Sequence, residues 1–275
     1  MTSKIIWKNG NWFDINEVCV SIQDRSLRFS DGIFETILIK NQKAILLKEH
    51  LKRLEKSSEI LNYNLIIDKL LITNIINSGI RMLGINQNQY GAIRINYSRG
   101  ISKNRSLKID EIHNKFDTNN LWIEFEIINF NSSPLNVWIS KKEKRNEHSQ
   151  LSKCKTFSYL QSIQALIEAN NKNFDDSILL NTRNEVCCGT TFNLLVIRND
   201  EWLTPRKESG CLQGIMVEKL LNKKLVKEEY ILPNFKVDDI LLAINSLSCR
   251  QIIRIDDIYF NKKFDPENLI DTLFV

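Results

Sequence analysis

The sequence predicts a mixed α/β (α+β) fold in two domains. Three observations carry this. Strand-like runs cluster in both halves, a few helical stretches separate them, and the pattern restarts after a polar, turn-rich segment at 129–134. That segment is taken as the linker between an N-terminal domain, 1–128, and a C-terminal domain, 135–275. With 275 residues, 43% hydrophobic and 26% charged, the chain can bury one large or two modest cores.

The elements follow in order. Ile5-Ile6-Trp7 and Trp12-Phe13 flank Asn9-Gly10, a strong hairpin signal. Ile33 to Ile39 is β-rich, and Lys40 to Lys43 turns into a further strand, Ala44 to Leu47. Leu47, Leu51, Leu54 and Leu61 then recur at helical spacing, and a second helix covers Ile67 to Ile76. Strands follow near Tyr90 to Tyr97 and Leu121 to Ile128. In the second half, Val137 to Ile139, Ile178 to Leu180, Leu194 to Ile197, Trp202-Leu203 and Ile240 to Ile244 read as strands. Leu160, Ile163, Leu166 and Ile167 mark a helix, Gly214 opens another, and Asn199-Asp200 is a hairpin turn.

Composition narrows the function. Only 9 Gly and 4 Pro exclude a collagen-like or linker-dominated chain. No apolar run approaches the ~20 residues that span a bilayer, and Lys8-Asn9-Gly10 interrupts the N-terminal apolar stretch, unlike a signal peptide. A net charge of +5 is mild, and its densest basic run, Lys141 to Arg145, reads as a solvated loop rather than a nucleic-acid stripe. Six cysteines without a Cys-x-x-Cys pair, beside three histidines, argue against a zinc site and for a reducing, cytoplasmic setting. Phosphate-loop, dinucleotide, zincin and serine-hydrolase motifs are absent.

Four segments carry chemistry together. They are Arg28 to Ile37 (RFSDGIFETI), Glu49 to Leu54 (EHLKRL), Cys154 to Leu160 (CKTFSYL) with Gly189 to Leu194 (GTTFNL), and Ser209 to Met216 (SGCLQGIM) with Asn245-Ser246-Leu247. Their order and spacing resemble the class IV (fold type IV) pyridoxal-phosphate enzymes, which include branched-chain and D-amino-acid aminotransferases and aminodeoxychorismate lyase. The resemblance runs from about Asn9 to about Asp256 and implies the two-domain D-amino-acid aminotransferase-like fold. It also implies a homodimer with a small-molecule amine substrate.

The resemblance assigns roles residue by residue. Lys155, in the C-terminal domain, holds the aldehyde of pyridoxal 5'-phosphate; alone, a lysine reads as a solvated charge. Such an amine must be partly neutral, which burial beside other cations achieves. Arg53 is the phosphate arginine, or simply an arginine on a helix face. The backbone N–H groups of Ile215 and Met216, at a helix start after Gly214, bind phosphate, and Ser246 with the N–H of Leu247 completes the set. Tyr159 bonds the cofactor ring hydroxyl or packs at its rim. Phe34 faces the substrate. Arg105 takes a substrate carboxylate or is a surface arginine, and the absence of a His after it counts against a D-amino-acid aminotransferase. No metal site is expected.

The sequence departs from the family at one place. The Glu that usually contacts the pyridine nitrogen, five residues before Asn193, is replaced by Cys188, and a thiol cannot do a carboxylate's work there. Glu185 substitutes only if the backbone bulges. A weaker electron sink disfavours transamination. Loss of an enolpyruvyl group from 4-amino-4-deoxychorismate depends less on that sink, because the product ring becomes aromatic. The expected activity is therefore 4-amino-4-deoxychorismate lyase, giving pyruvate and p-aminobenzoate for folate synthesis. The alternatives are an aminotransferase for branched-chain or other amino acids, and a cofactor-binding protein that has lost activity.

Overall fold

The structure is a computed structural model, and it describes residues 4–63, 67–102, 105–109, 121–266 and 269. Residues 103–104 and 110–117 of the loop expected over 101–117 lie outside the described residues. The chain divides into two compact units: 1–130 with 154–158, and 131–153 with 159–275.

The first unit is built on a six-stranded antiparallel sheet of order β2-β1-β6-β5-β3-β4. Its strands are β1 (Lys4–Lys8), β2 (Asn11–Asp14), β3 (Gly32–Lys40), β4 (Lys43–Ala44), β5 (Tyr90–Ser98) and β6 (Leu121–Ile128). Asn9 and Gly10 both have positive φ, as a type I′ hairpin turn requires. Asn41 and Gln42 repeat this between β3 and β4. Three helices accompany the sheet: α1 (Arg25–Phe29), α2 (Leu47–Ile60) and α3 (Lys69–Leu83).

Two sequence expectations are corrected here. The strand expected over 44–47 stops at Ala44, because Leu46 adopts a left-handed conformation and starts α2. The helix expected over 67–76 runs on to Leu83. Asp68 caps its start by accepting from Leu71 N (2.9 Å), and left-handed Gly84 ends it. One apolar core joins Ile33, Ile37, Ile93, Ile95, Ile123 and Phe125 of the sheet to Leu51, Leu54 and Ile76 of the helices. Each fully buried side chain of this kind contributes about 1.5–3 kcal/mol.

The second unit holds the sheet β12-β11-β10-β13-β14-β7-β8-β9, with β15 beside β14. The strands are β7 (Leu135–Arg145), β8 (Asp176–Asn181), β9 (Val186–Gly189), β10 (Asn193–Arg198) and β11 (Glu201–Pro205). β12 (Lys227–Glu229), β13 (Ile240–Ile244), β14 (Cys249–Ile255) and β15 (Ile258–Tyr259) complete it. β7 and β8 are parallel, so they need a crossover, and α4 (Leu160–Asn170) provides it. α5 (Ile215–Asn222) follows β11.

The expectation that the C-terminal domain carries Lys155 is also corrected. Residues 154–158 belong to the first unit because their backbone pairs with the start of β3. Phe34 N donates to Lys155 O (3.0 Å), Phe157 N donates to Gly32 O (2.9 Å), and Ile33 and Thr156 form a bridge.

Candidate active site

In the first unit this backbone pairing places Lys155 against β3. Its Nζ lies 4.3 Å from the centroid of the Phe34 ring. The same ring carries the Arg94 guanidinium from neighbouring β5, with Cζ at 3.6 Å. Asn96 Oδ1 accepts from Arg94 Nε (2.7 Å) and fixes its direction. Phe157 and Trp122 extend the aromatic wall, Phe157 lying 6.0 Å from Phe34 and 5.9 Å from Trp122.

Behind this wall sits a buried ionic cluster. Glu35, on β3 next to Phe34, has no exposed surface. Its Oε1 accepts from Arg53 Nε (2.7 Å), and its Oε2 accepts from Arg53 Nη2 (2.6 Å) and His50 Nδ1 (2.7 Å). His50 and Arg53 reach one carboxylate because a three-residue offset puts them on one face of α2. Burial alone would raise the Glu35 pKa, but the charge of Arg53 and the bonds from Arg53 and His50 hold it at about 2. Burial lowers His50, so its ring is neutral at pH 7 and donates Nδ1–H to the acceptor-only carboxylate.

Lys155 acquires the chemistry the sequence reading required of it. Desolvation pushes its pKa down to about 8; Arg53 and Arg94 add to this, and Glu35 opposes it. About a tenth of the amines are then neutral at pH 7, against far fewer for a free lysine. Gly32 makes this placement possible. A Cβ there would lie 2.2 Å from the Phe157 ring, so no side chain fits between β3 and the 155–157 segment. Gly32→Ala is expected to cost about 1–3 kcal/mol by overpacking and to weaken pyridoxal phosphate binding by displacing Lys155. Thermal unfolding and a cofactor titration check both.

The second unit carries the other residues that the resemblance named. Gly214 is the N-cap of α5, no side-chain hydrogen bond closes that end, and Ile215 and Met216 are buried. A buried, uncapped helix start presents N–H donors and a positive dipole end, which suits a phosphate. Asn193 explains the bare cap: its Nδ2 donates to Leu212 O (2.9 Å), and a Cβ on Gly214 would meet Asn193 Oδ1 at 2.0 Å. Ser246 lies half-buried in the turn between β13 and β14. Leu247 N donates to Asn245 Oδ1 (2.8 Å) in the same turn.

Cys188 also differs from its sequence reading. The β8–β9 pairing bulges at Cys187, because Leu179 faces Cys188 and Leu180 faces Val186. The bulge does not bring in Glu185. That carboxylate accepts from Arg183 Nε (3.1 Å) and Nη2 (2.8 Å) and from Asn181 Nδ2 (2.7 Å). Cys187, Cys188 and Cys211 instead form a buried cluster. The hydrogen bond from Cys187, then the charge and hydrogen bond of Arg145, draw the Cys188 thiol well below its usual range. The Arg145 guanidinium is thus the charged neighbour of Cys188. Gln161 Oε1 (3.3 Å) and Ser162 Oγ (3.0 Å) accept from Arg145 in turn. Tyr159, at the N-cap position of α4, is half-buried and acts electrostatically on Arg145.

Arg105 is exposed. Sequence reasoning missed Arg94, which reads only as an interruption of a strand, and Arg145, which reads as part of a basic run. It also missed that Glu35 and His50 act with Arg53. The three-residue His50–Arg53 offset was the available signal. Among the described residues no group of His, Cys, Asp and Glu side chains suits a metal ion.

The family model for class IV aminotransferases matches residues 32–255, and the chain belongs to that family, whose members use pyridoxal phosphate. A Methanocaldococcus jannaschii protein provisionally named a branched-chain-amino-acid aminotransferase is 27% identical over 82% of this chain and 76% of its own length. A Staphylococcus aureus D-alanine aminotransferase is 33% identical over 39% of this chain and 37% of its own. Among solved structures, a Legionella pneumophila protein provisionally named 4-amino-4-deoxychorismate lyase is 25% identical, with TM-score 0.78 over 94% of both chains. A Thermoproteus uzoniensis branched-chain aminotransferase has TM-score 0.83 at 19% identity, over 98% of this chain and 93% of that one.

The residues present fit pyridoxal phosphate on the structure's own terms. In the first unit, taken by itself, the Lys155 amine held close to neutrality suits the cofactor's aldehyde.

Proposed function

We propose that the protein is a 4-amino-4-deoxychorismate lyase that releases pyruvate and p-aminobenzoate. The observation that carries this reading is the Phe34 ring with two cationic side chains on it, Lys155 and Arg94. An aromatic wall beside a guanidinium suits an unsaturated, carboxylated ring bearing an amine. The likeness to the Legionella protein supports the same choice.

Bound pyridoxal phosphate supplies an aldehyde that condenses with amines and a conjugated ring that accepts an electron pair. Lys155 would hold that aldehyde, and its amine, lowered to a pKa of about 8 in this chain, would serve as the base for the proton on the substrate's amine-bearing carbon. Arg53, the N–H groups of Ile215 and Met216, and Ser246 would hold the phosphate, with Tyr159 and Cys188 as further cofactor residues. Arg94 and Phe34 would orient the substrate ring.

Apolar residues exposed around α1, including Ile22, Leu27, Ile101 and Leu107, support a homodimer. All six cysteines are free, which supports a reducing compartment. Among the described residues no helix is long and apolar enough to cross a membrane.

The rival is an aminotransferase, and the Methanocaldococcus relative favours it. Mixing the cofactor-loaded protein with single amino acids separates the two. The lyase reading expects no stoichiometric change in cofactor absorption with branched-chain amino acids or alanine. Complete conversion by one of them would overturn it.

A further inference from the structure

The proposed reaction needs Lys155 and Arg53, and a third residue binds Arg53 and acts through its charge on Lys155. Glu35 is wholly buried, grips Arg53 with both oxygens and accepts from His50. The charged groups facing Lys155 come from three elements. Arg53 from α2 and Arg94 from β5 are cations, Glu35 from β3 is the carboxylate that opposes them, and His50 from α2 is neutral.

We infer that Glu35 is a positioning residue of this site: braced by His50, it fixes the Arg53 guanidinium and serves as the counter-charge of the Lys155 amine. This rests on the reading of Lys155 and Arg53 as cofactor residues. The physical reason is cumulative. A bidentate carboxylate sets both the plane and the direction of a guanidinium, which a single bond does not. His50 has one role compatible with its neutrality, donating Nδ1–H, and that bond keeps the carboxylate from turning away from Arg53. Without the carboxylate, the charges of Arg53 and Arg94 act on Lys155 unopposed by Glu35, and its proton is held less tightly.

The test follows capture of pyridoxal phosphate by the cofactor-free full-length protein, by visible absorbance, as a function of pH. Capture requires the neutral amine, so its midpoint reports Lys155. Glu35→Gln is expected to move the midpoint to lower pH by about one unit or more. Arg53→Gln is expected to move it to higher pH, and Glu35→Asp to return it towards wild type. A purely structural role would slow capture at every pH and leave the midpoint in place, and that result overturns the inference.

A buried arginine without its carboxylate can prevent folding. If Glu35→Gln does not fold, the double variant Glu35→Gln/Arg53→Gln, which removes both charges, is compared with Arg53→Gln alone. The double variant must have the lower midpoint, and coincidence overturns the inference. Borohydride reduction of wild type followed by peptide mass mapping separates this failure from that of the parent reading. Cofactor found off Lys155 overturns both, whereas cofactor on Lys155 with unmoved midpoints overturns only the role of Glu35.

Discussion

Lys155→Ala is expected to abolish covalent capture of pyridoxal phosphate and to lower turnover by at least about a thousandfold. The argument is local. The amine stands 4.3 Å from the Phe34 centroid and is pushed towards neutrality by its surroundings. Lys155→Arg should fail as completely, because a guanidinium stays charged and cannot act as a nucleophile. Neither change should unfold the protein, since the backbone bonds of 155–157 to β3 remain. Borohydride trapping with mass mapping, beside a thermal melt, reads both halves of the prediction. Undiminished trapping in the alanine variant would sink it.

Acid is expected to remove a defined part of the stability through Glu35. Its folded pKa of about 2 lies below the ordinary 4.5, so the folded state binds this proton less readily than the unfolded chain. The contribution is therefore complete above pH 4.5, shrinks as the pH falls below that value, and is gone below about 2. The difference amounts to about 3 kcal/mol. Glu147 in the second unit is lowered in the same direction, so wild type alone does not isolate Glu35. Denaturant unfolding of wild type and Glu35→Asp or Glu35→Gln at a series of pH values does. The gap between wild type and the Gln variant should narrow from pH 5 towards pH 2, and a constant gap would refute the assignment.

Much of the fold was legible where local chemistry acts alone. Asn9-Gly10 and Asn199-Asp200 announce hairpins because both residues of such a turn take positive φ, and the structure has them there. Helical spacing of Leu47, Leu51 and Leu54 was readable because one face of α2 packs into the core. Elements whose definition is not local were missed. β9 is four residues, Val186–Gly189, too short for a periodic signal. β14, CRQIIRI, breaks the polar–apolar alternation with its adjacent Arg-Gln and Ile-Ile, because it is an inner strand between β13 and the sequence-distant β7.

The site divides in the same way. The motif segments named Lys155, Arg53, Gly214 and Asn193 because each motif is contiguous in sequence. The membership of Lys155 in the first unit was not readable, since it depends on backbone bonds across more than a hundred residues, from Gly32 and Phe34 to Phe157 and Lys155. Arg94 was invisible for the same reason: it gains its meaning from the register of β5 on β3, where Thr36 faces Arg94 and Phe34 faces Asn96. Cys188 was found by counting, but its charged neighbour is Arg145, forty-three positions earlier in the sequence.

The most direct measurement is p-aminobenzoate release from 4-amino-4-deoxychorismate by the cofactor-loaded protein, with Lys155→Ala beside it. The account predicts stoichiometric p-aminobenzoate and pyruvate from wild type and none from the variant. No product from wild-type protein that traps pyridoxal phosphate on Lys155, together with amino-group transfer from an amino acid, would contradict it.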